Sequence, residues 1–344
     1  MAIATIAWGA TGSTATTKSA TTSAATTKSA ASNGSCSLSA ALVPACGVLQ
    51  GVAPGQFVNP GAQALATYEQ TVGQHMDIYH AYHVAPQLFP TKAEIGIANQ
   101  TGKHRLLLEN WKPENGHTWA QVANGASDSV IDKEAAYLKS NFTEKFYLTI
   151  HHEPENDVNA TAGSGNTAAD YRLMFRHVVQ RLRNDGVHNA VTVVDYMGDP
   201  DWSSKPWFNA LYPGDDVVDW IAEDPYACVR AGKCGDFANM VNRRYGANSP
   251  WPGFYTWATT KHPSKPIMIA EWGAFEHSET PNDKPAFFKS AMSELANFPR
   301  IKAVVYFDSP HAPRGDTRVN STTMALSVFR QLVDLPSLLK VILP

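Results

Sequence analysis

The chain has 344 residues, of which 44% are hydrophobic and 17% charged, an ordinary soluble globular composition able to bury one large core or two modest ones. A net charge of −3 and a pI near 6.4 give no electrostatic footprint for nucleic acid or an anionic membrane surface, so neither is expected as a partner. No run of about 18 apolar residues exists, so no membrane insertion is expected.

The N-terminal Met1-Ala2-Ile3-Ala4-Thr5-Ile6-Ala7 is apolar but lacks a basic n-region and is too short for a signal peptide, so any secretion signal is expected to have lain upstream. Residues 1–35 are mostly Ala, Ser, Thr, Gly and Lys, and Thr16-Thr17-Lys18-Ser19-Ala20 recurs as Thr26-Thr27-Lys28-Ser29-Ala30. Such a segment offers too little apolar surface to offset its ordering entropy and is expected to be a disordered linker ahead of one catalytic domain, residues 36–344. Four cysteines form two locally spaced pairs in loop-like surroundings. Their even count and pairing suggest disulfides Cys36–Cys46 and Cys228–Cys234 in an oxidising compartment. A zinc site is the competing reading, but neither pair has the two-to-four residue gap that such sites favour. The sequons at Asn99, Asn141, Asn159 and Asn320 also fit an extracellular protein.

From Cys46 onward, short β-rich runs alternate with longer helical ones. Eight strands are predicted: Val48–Val52, Met76–Tyr82, Arg105–Asn110, Phe146–His151, Ala190–Tyr196, Val217–Ala222, Pro266–Glu271 and Ala303–Asp308. Helices are predicted at Ala62–Val72, Ser127–Ser140, Ala168–Asn184, Asp236–Tyr245, Lys284–Asn297 and Thr322–Val333. In Ala168–Asn184 the residues Tyr171, Met174, Phe175, Val178, Val179 and Leu182 share one face, which should lie on a barrel wall. No glycine-rich phosphate loop follows an early strand. The pattern therefore predicts an α/β chain folded as a single (β/α)8 TIM barrel rather than a doubly wound sheet.

Chemistry concentrates at two predicted strand ends. Phe146-Tyr147-Leu148-Thr149-Ile150 runs into His151-His152-Glu153-Pro154-Glu155-Asn156-Asp157, and Pro266-Ile267-Met268-Ile269-Ala270 runs into Glu271-Trp272-Gly273. Ionisable groups crowded at the end of a buried strand are costly unless they perform chemistry. Strands four and seven of a barrel stand close enough across the mouth for Glu153 and Glu271 to flank one bond. That is the arrangement in which one carboxyl protonates a leaving oxygen while the other attacks the anomeric carbon. Glu155 competes with Glu153 for the acid role, although on an extended segment the two would point to opposite faces. His151 and His152 could instead serve a metal-dependent hydrolase, but adjacent strand residues cannot easily share one ion. Trp111 and Trp272, at predicted strand ends, are the tryptophans best placed to stack on sugar rings; Asn110 could bond a sugar hydroxyl, and Asp224 could contact sugar or close a turn.

His152-Glu153, Asp224-Pro225-Tyr226 with the preceding Tyr212–Trp220 stretch, and Glu271-Trp272-Gly273 together resemble glycoside hydrolase family 26. That family comprises retaining β-glycanases, best known as endo-β-1,4-mannanases, with licheninases and β-1,3-xylanases among its members. The resemblance spans roughly residues 48–335. It implies Glu153 as general acid/base, Glu271 as nucleophile, His152 as a neighbour orienting the acid, and Tyr226 as a hydroxyl donor to the nucleophile. A secreted, monomeric, mannanase-like β-glycanase acting on a polysaccharide or oligosaccharide is expected, with no metal and no organic cofactor. Alternatives are a mixed-linkage glucan, β-1,3-xylan or microbial wall glycan as substrate, or a non-catalytic carbohydrate-binding barrel.

Overall fold

The computed structural model describes residues 36–246 and 248–339, so the expected linker, residues 1–35, lies outside the described residues. Eight strands run in parallel: β1 Val48–Pro54, β2 Ile78–Val84, β3 Leu106–Lys112, β4 Phe146–Ile150, β5 Ala190–Tyr196, β6 Trp220–Glu223, β7 Ile267–Ala274 and β8 Ile301–Asp308. Each pairs with the next in order, and β8 returns to pair with β1 from Leu49↔Ala303 to Pro54↔Asp308, closing the sheet into a (β/α)8 barrel. The crossover helices include Ala62–Val72, Asp128–Asn141, Ala168–Asn184, Asp283–Glu294 and Thr323–Val333. No described helix is long and apolar enough to cross a membrane.

The helix Ala168–Asn184 shows how local sequence sets these elements. Thr167 accepts from the Asp170 amide while the Asp170 carboxylate accepts from the Thr167 amide, satisfying two donors at the first turn. The apolar stripe Tyr171, Met174, Phe175, Val178, Val179 and Leu182 is buried, as its spacing predicts. Four helices escaped the sequence reading: Lys92–Ala98, Trp119–Ala123, Pro200–Ser203 and Phe254–Lys261. They span 4 to 8 residues, too few turns for a periodic stripe to emerge.

Strand alternation divides the core into two layers. Leu49, Ile78, Leu108, Tyr147, Val193, Ala222, Met268 and Val305 fill the barrel interior, while outward residues such as Val52, Leu107, Leu148, Val194 and Ile269 pack under the helices. Gly51 belongs to the inner face because a Cβ there would stand 2.7 Å from the Ile78 Cβ. The loop closed by Cys36–Cys46 caps the base of the barrel. Leu42 joins the interior cluster, Tyr147 Oη donates to the Leu42 carbonyl at 2.8 Å, and Trp220 Nε1 donates to the Ala41 carbonyl at 2.7 Å. Cys228 and Cys234 form the second disulfide in the loop after β6.

Candidate active site

Backbone geometry immediately after β4 sets the first half of the site. Tyr147 and Thr149 face into the barrel, but His151 adopts φ 51° and Glu153 φ 49°, both in the left-handed region that non-glycine residues rarely enter. The chain is held there by the His151 amide donating to the Trp111 carbonyl at 2.8 Å and the Glu153 amide donating to the Asp195 carbonyl at 3.0 Å. His151 is thereby turned out of the barrel. Its Nε2 meets Asp157 at 2.8 Å, its Nδ1 contacts Glu114, and its ring packs edge-on to Trp119. His152 turns the other way and sets its ring edge-on to Tyr82, 5.5 Å between centroids. The two histidines therefore have no common ligand position.

Glu153 accepts from Asn156 Nδ2 at 3.0 Å. The orienting neighbour seen for this carboxyl is thus Asn156, to which sequence reasoning assigned no role; the expected one, His152, sits beside Tyr82, and its Nδ1 has no hydrogen-bond partner. Burial, then the nearby charges of Lys112 and His151, lower the His152 pKa to about 3, so it is neutral. Glu155 lies in the 3-10 turn Pro154–Asp157, fully buried, where its carboxyl accepts from the Met197 and Gly198 amides at 3.2 and 3.4 Å. It is separated from Glu153 by this turn rather than by strand alternation.

The second half is built by an irregularity in β7. Met268 and Ala270 face inward, and regular alternation would carry Glu271 outward; the β7–β8 register shifts between Ile269 and Trp272, however, and brings the Glu271 carboxyl into the mouth. Tyr82 Oη donates to its Oε1 at 2.6 Å and Tyr226 Oη to its Oε2 at 2.7 Å. Burial raises the Glu271 pKa, and these two hydroxyls oppose that rise. Glu153 has only the Asn156 amide. Burial, followed by the negative charges of Glu271 and Glu155, pushes it up to about 8. One carboxyl is thus held protonated at neutral pH and the other is equipped with two donors for its ionised form.

Beneath this pair lie Asp195 and Asp224, both buried, with no N–H donor reaching either carboxyl. Burial and neighbouring acids hold both well above the usual carboxylate range: Glu271 leads for Asp195, and Asp195 followed by Glu271 for Asp224. Asn110 is also on the inner face, paired in register between Tyr82 and Thr149, and is 1% exposed. The structure thus brings Glu153, Glu271, His152, Tyr226, Asn110 and Asp224 together, and adds Tyr82. Tyr82 passed unnoticed although it ends a predicted strand, because its partner lies 189 residues away.

Trp111 and Trp272 are elsewhere. Each follows an inward residue, Asn110 and Glu271, and so faces the helices. Trp111 is wholly buried with its centroid 5.2 Å from Phe89, and Trp272 lies among Phe237, Phe287, Phe288, Tyr306 and Phe329. The expectation that they stack on sugar is corrected: strand parity assigns them to the outer core. Trp111→Ala is accordingly expected to lower the unfolding free energy by about 3–5 kcal/mol, checked by denaturant titration.

One other group has metal-ligand chemistry among the described residues. His83 of β2, Glu109 of β3 and Glu94 of the helix Lys92–Ala98 bring one ligand atom each within 4.8 Å of one another. They already balance one another: His83 Nε2 lies 2.8 Å from Glu109 and 3.4 Å from Glu94, and although burial pulls its pKa down, these two carboxylates raise it to about 10.

No family model matches the chain. A β-1,3-xylanase of a Vibrio species is 27% identical over 177 residues, covering 50% of this chain and 36% of the relative, so the match takes in about a third of that protein. Among solved structures, a GH26 β-mannanase from Bacteroides ovatus superposes with a TM-score of 0.59 at 16% identity, covering 86% of this chain and 91% of that one. The GH26 domain of an endo-β-mannanase/endo-β-glucanase from Prevotella bryantii gives 0.56 at 14% identity, again over 86% and 91%. GH26C from a Muricauda species gives 0.58 at 15%, over 86% and 87%. At these identities the structural likeness establishes the shared barrel fold.

Proposed function

We propose that the chain is a retaining glycoside hydrolase acting on a β-linked polysaccharide, a divergent relative of glycoside hydrolase family 26. The observation that carries this reading is the unequal pair at the ends of β4 and β7, with Glu153 pushed up to about 8 and Glu271 held by two tyrosine hydroxyls. In this reading Glu271 attacks the anomeric carbon while Glu153 gives its proton to the departing glycosidic oxygen, breaking the C–O bond and leaving a glycosyl ester on Glu271. Glu153, now a carboxylate, takes a proton from water, whose oxygen attacks the same carbon, frees Glu271 and returns the β configuration. Direct attack by Glu271, rather than by a water placed between the carboxyls, is the course that the resemblance to glycoside hydrolase family 26 implies.

Two substrates are in view. The structural neighbours, a β-mannanase and an endo-β-mannanase/endo-β-glucanase domain, favour a β-mannan, in line with the mannanase-like activity expected from the sequence, and the sequence relative favours β-1,3-xylan. Two disulfides support a secreted protein. The two retained, opposed carboxyls count against a barrel that only binds carbohydrate, since binding needs no such pair.

The test is to incubate the protein with β-1,4-mannan, mixed-linkage glucan, β-1,3-xylan and microbial wall glycans, size the products and record the first-formed anomer by NMR. Cleavage of at least one glycan with a β-anomer appearing first is expected. A first-formed α-anomer would refute retention, and no cleavage of any β-glycan would refute the hydrolase.

A further inference from the structure

The direction in which a glycan must cross the mouth follows from strand order. Eight strands closing a barrel stand roughly 45° apart around its axis. A sugar chain threaded between the ends of β4 and β7 has to run across the line that joins them, from the rim above β1 and β2 to the rim above β5 and β6. Exposed apolar side chains gather on those two rims. Of the seven large hydrophobic residues exposed among the described residues, Phe57, Val58, Val84 and Leu88 stand at or just beyond the ends of β1 and β2, and Tyr245 follows β6; the other two, Leu173 and Met324, ride on crossover helices.

Phe57 is the most exposed of them, at 65%, and has φ 63°, a left-handed conformation costly for an aromatic residue. The loop that presents it is anchored. Gly55 N donates to the Asp308 carbonyl at 2.9 Å, Ser309 Oγ donates to the Gln56 carbonyl at 2.6 Å, and Val58 N closes the turn onto the Gly55 carbonyl at 3.2 Å. The ring of Phe57 lies 6.0 Å from Phe307, and Phe307 lies 6.4 Å from Tyr82 and 6.1 Å from Tyr226, the two residues that hold Glu271. An aromatic path thus leads outward from the candidate nucleophile to an uncovered ring. On the opposite rim Tyr245 is 56% exposed, its hydroxyl 3.4 Å from Asp199.

We infer that Phe57 is a sugar-stacking platform at one end of the cleft and Tyr245 its counterpart at the other, so that a β-glycan lies across the mouth with sugar units bound on both sides of the cleaved bond. The inference rests on the proposed hydrolase and assigns its specificity to two residues outside the catalytic group. A pyranose presents C–H faces that an exposed aromatic ring covers without directional polar contacts, and a strained but anchored loop holds that ring in place before substrate arrives.

The experiment compares the intact chain with Phe57→Ala, Phe57→Trp, Tyr245→Ala and, as a surface control, Leu173→Ala, on whichever glycan of the panel is cleaved. Phe57→Ala and Tyr245→Ala are each expected to raise KM about tenfold, the loss of one stacking contact. Phe57→Trp should restore KM, Leu173→Ala should leave it unchanged, and melting temperatures should stay close together. Wild-type KM in Phe57→Ala would overturn the platform while leaving the hydrolase standing. If the wild-type chain cleaves nothing, the hydrolase fails first; the platform is then read from glycan titrations followed by tryptophan fluorescence, where equal affinity of wild type and Phe57→Ala overturns it and weaker binding by Phe57→Ala supports it.

Discussion

Glu271→Ala is expected to lower hydrolysis of the accepted glycan by about 10⁴-fold or more, because it removes the atom that forms the intermediate and not merely a binding contact. The variant leaves a space lined by the Tyr82 and Tyr226 hydroxyls, which donate to Glu271 at 2.6 and 2.7 Å. A small anion should enter it. With azide supplied, turnover is expected to recover in part and to give a glycosyl azide of inverted, α configuration, since the outside nucleophile attacks the face that Glu271 has vacated. Melting of the variant beside wild type separates loss of chemistry from loss of fold: burial raises the Glu271 pKa, so losing the charge itself costs no stability, while the two unpaired hydroxyls and the space left behind cost about 1–3 kcal/mol. Activity within tenfold of wild type in Glu271→Ala would remove Glu271 from the nucleophile role. Tyr82→Phe provides an independent check: loss of a hydrogen bond to a charged group should cost about ten- to a hundredfold in kcat/KM and move the acidic limb of the pH profile upward.

The dependence of Glu271 on Tyr82 also marks the boundary of what the sequence made legible. The eight strands were visible because each is a short apolar run, most of them β-branched or aromatic, bounded by turn residues, and Ala168–Asn184 was visible because its apolar residues form a full 3.6-residue stripe. The positions of Glu153 and Glu271 followed from strand ends alone. Side-chain direction was harder to read, since it depends on parity, and parity is broken twice at this site. The left-handed residues His151 and Glu153 break it after β4, and the shifted register of β7 breaks it before Trp272. Trp111 and Trp272 were placed at the mouth with their neighbours Asn110 and Glu271 because all four stand near strand ends, whereas adjacent strand residues point to opposite faces and the tryptophan of each pair faces the helices. Phe57 passed unnoticed for the opposite reason: a single phenylalanine in a loop carries no periodic signal, and its position relative to the mouth depends on the closure of β8 onto β1.

Glu153→Ala is expected to behave differently from the nucleophile variant, and the difference tests the assignment of roles. Protonation of the leaving oxygen contributes on the order of 10²–10⁴-fold, so glycan hydrolysis should fall by that amount, whereas an aryl glycoside whose leaving group needs no proton should lose much less in the glycosylation step. Azide should again accelerate turnover, here by intercepting the glycosyl-Glu271 ester, and the glycosyl azide should keep the β configuration. In the wild-type chain Glu153 must carry its proton to act, and burial together with the Glu271 and Glu155 charges places its pKa at about 8. Activity should therefore fall as pH rises through about 8, and this basic limb should vanish in Glu153→Ala assayed on the aryl glycoside. Stability provides the same reading with its own sign. A carboxyl with a native pKa raised above its unfolded value stabilises the fold fully below the unfolded value, near 4.5, and that contribution is lost as pH climbs through about 8. Glu153→Gln, which cannot ionise, should consequently melt higher than wild type at pH 9, with the gap closing by pH 4. A basic limb that persists unchanged in Glu153→Ala, or a melting difference of the opposite sign at pH 9, would transfer the acid role to another residue of the mouth.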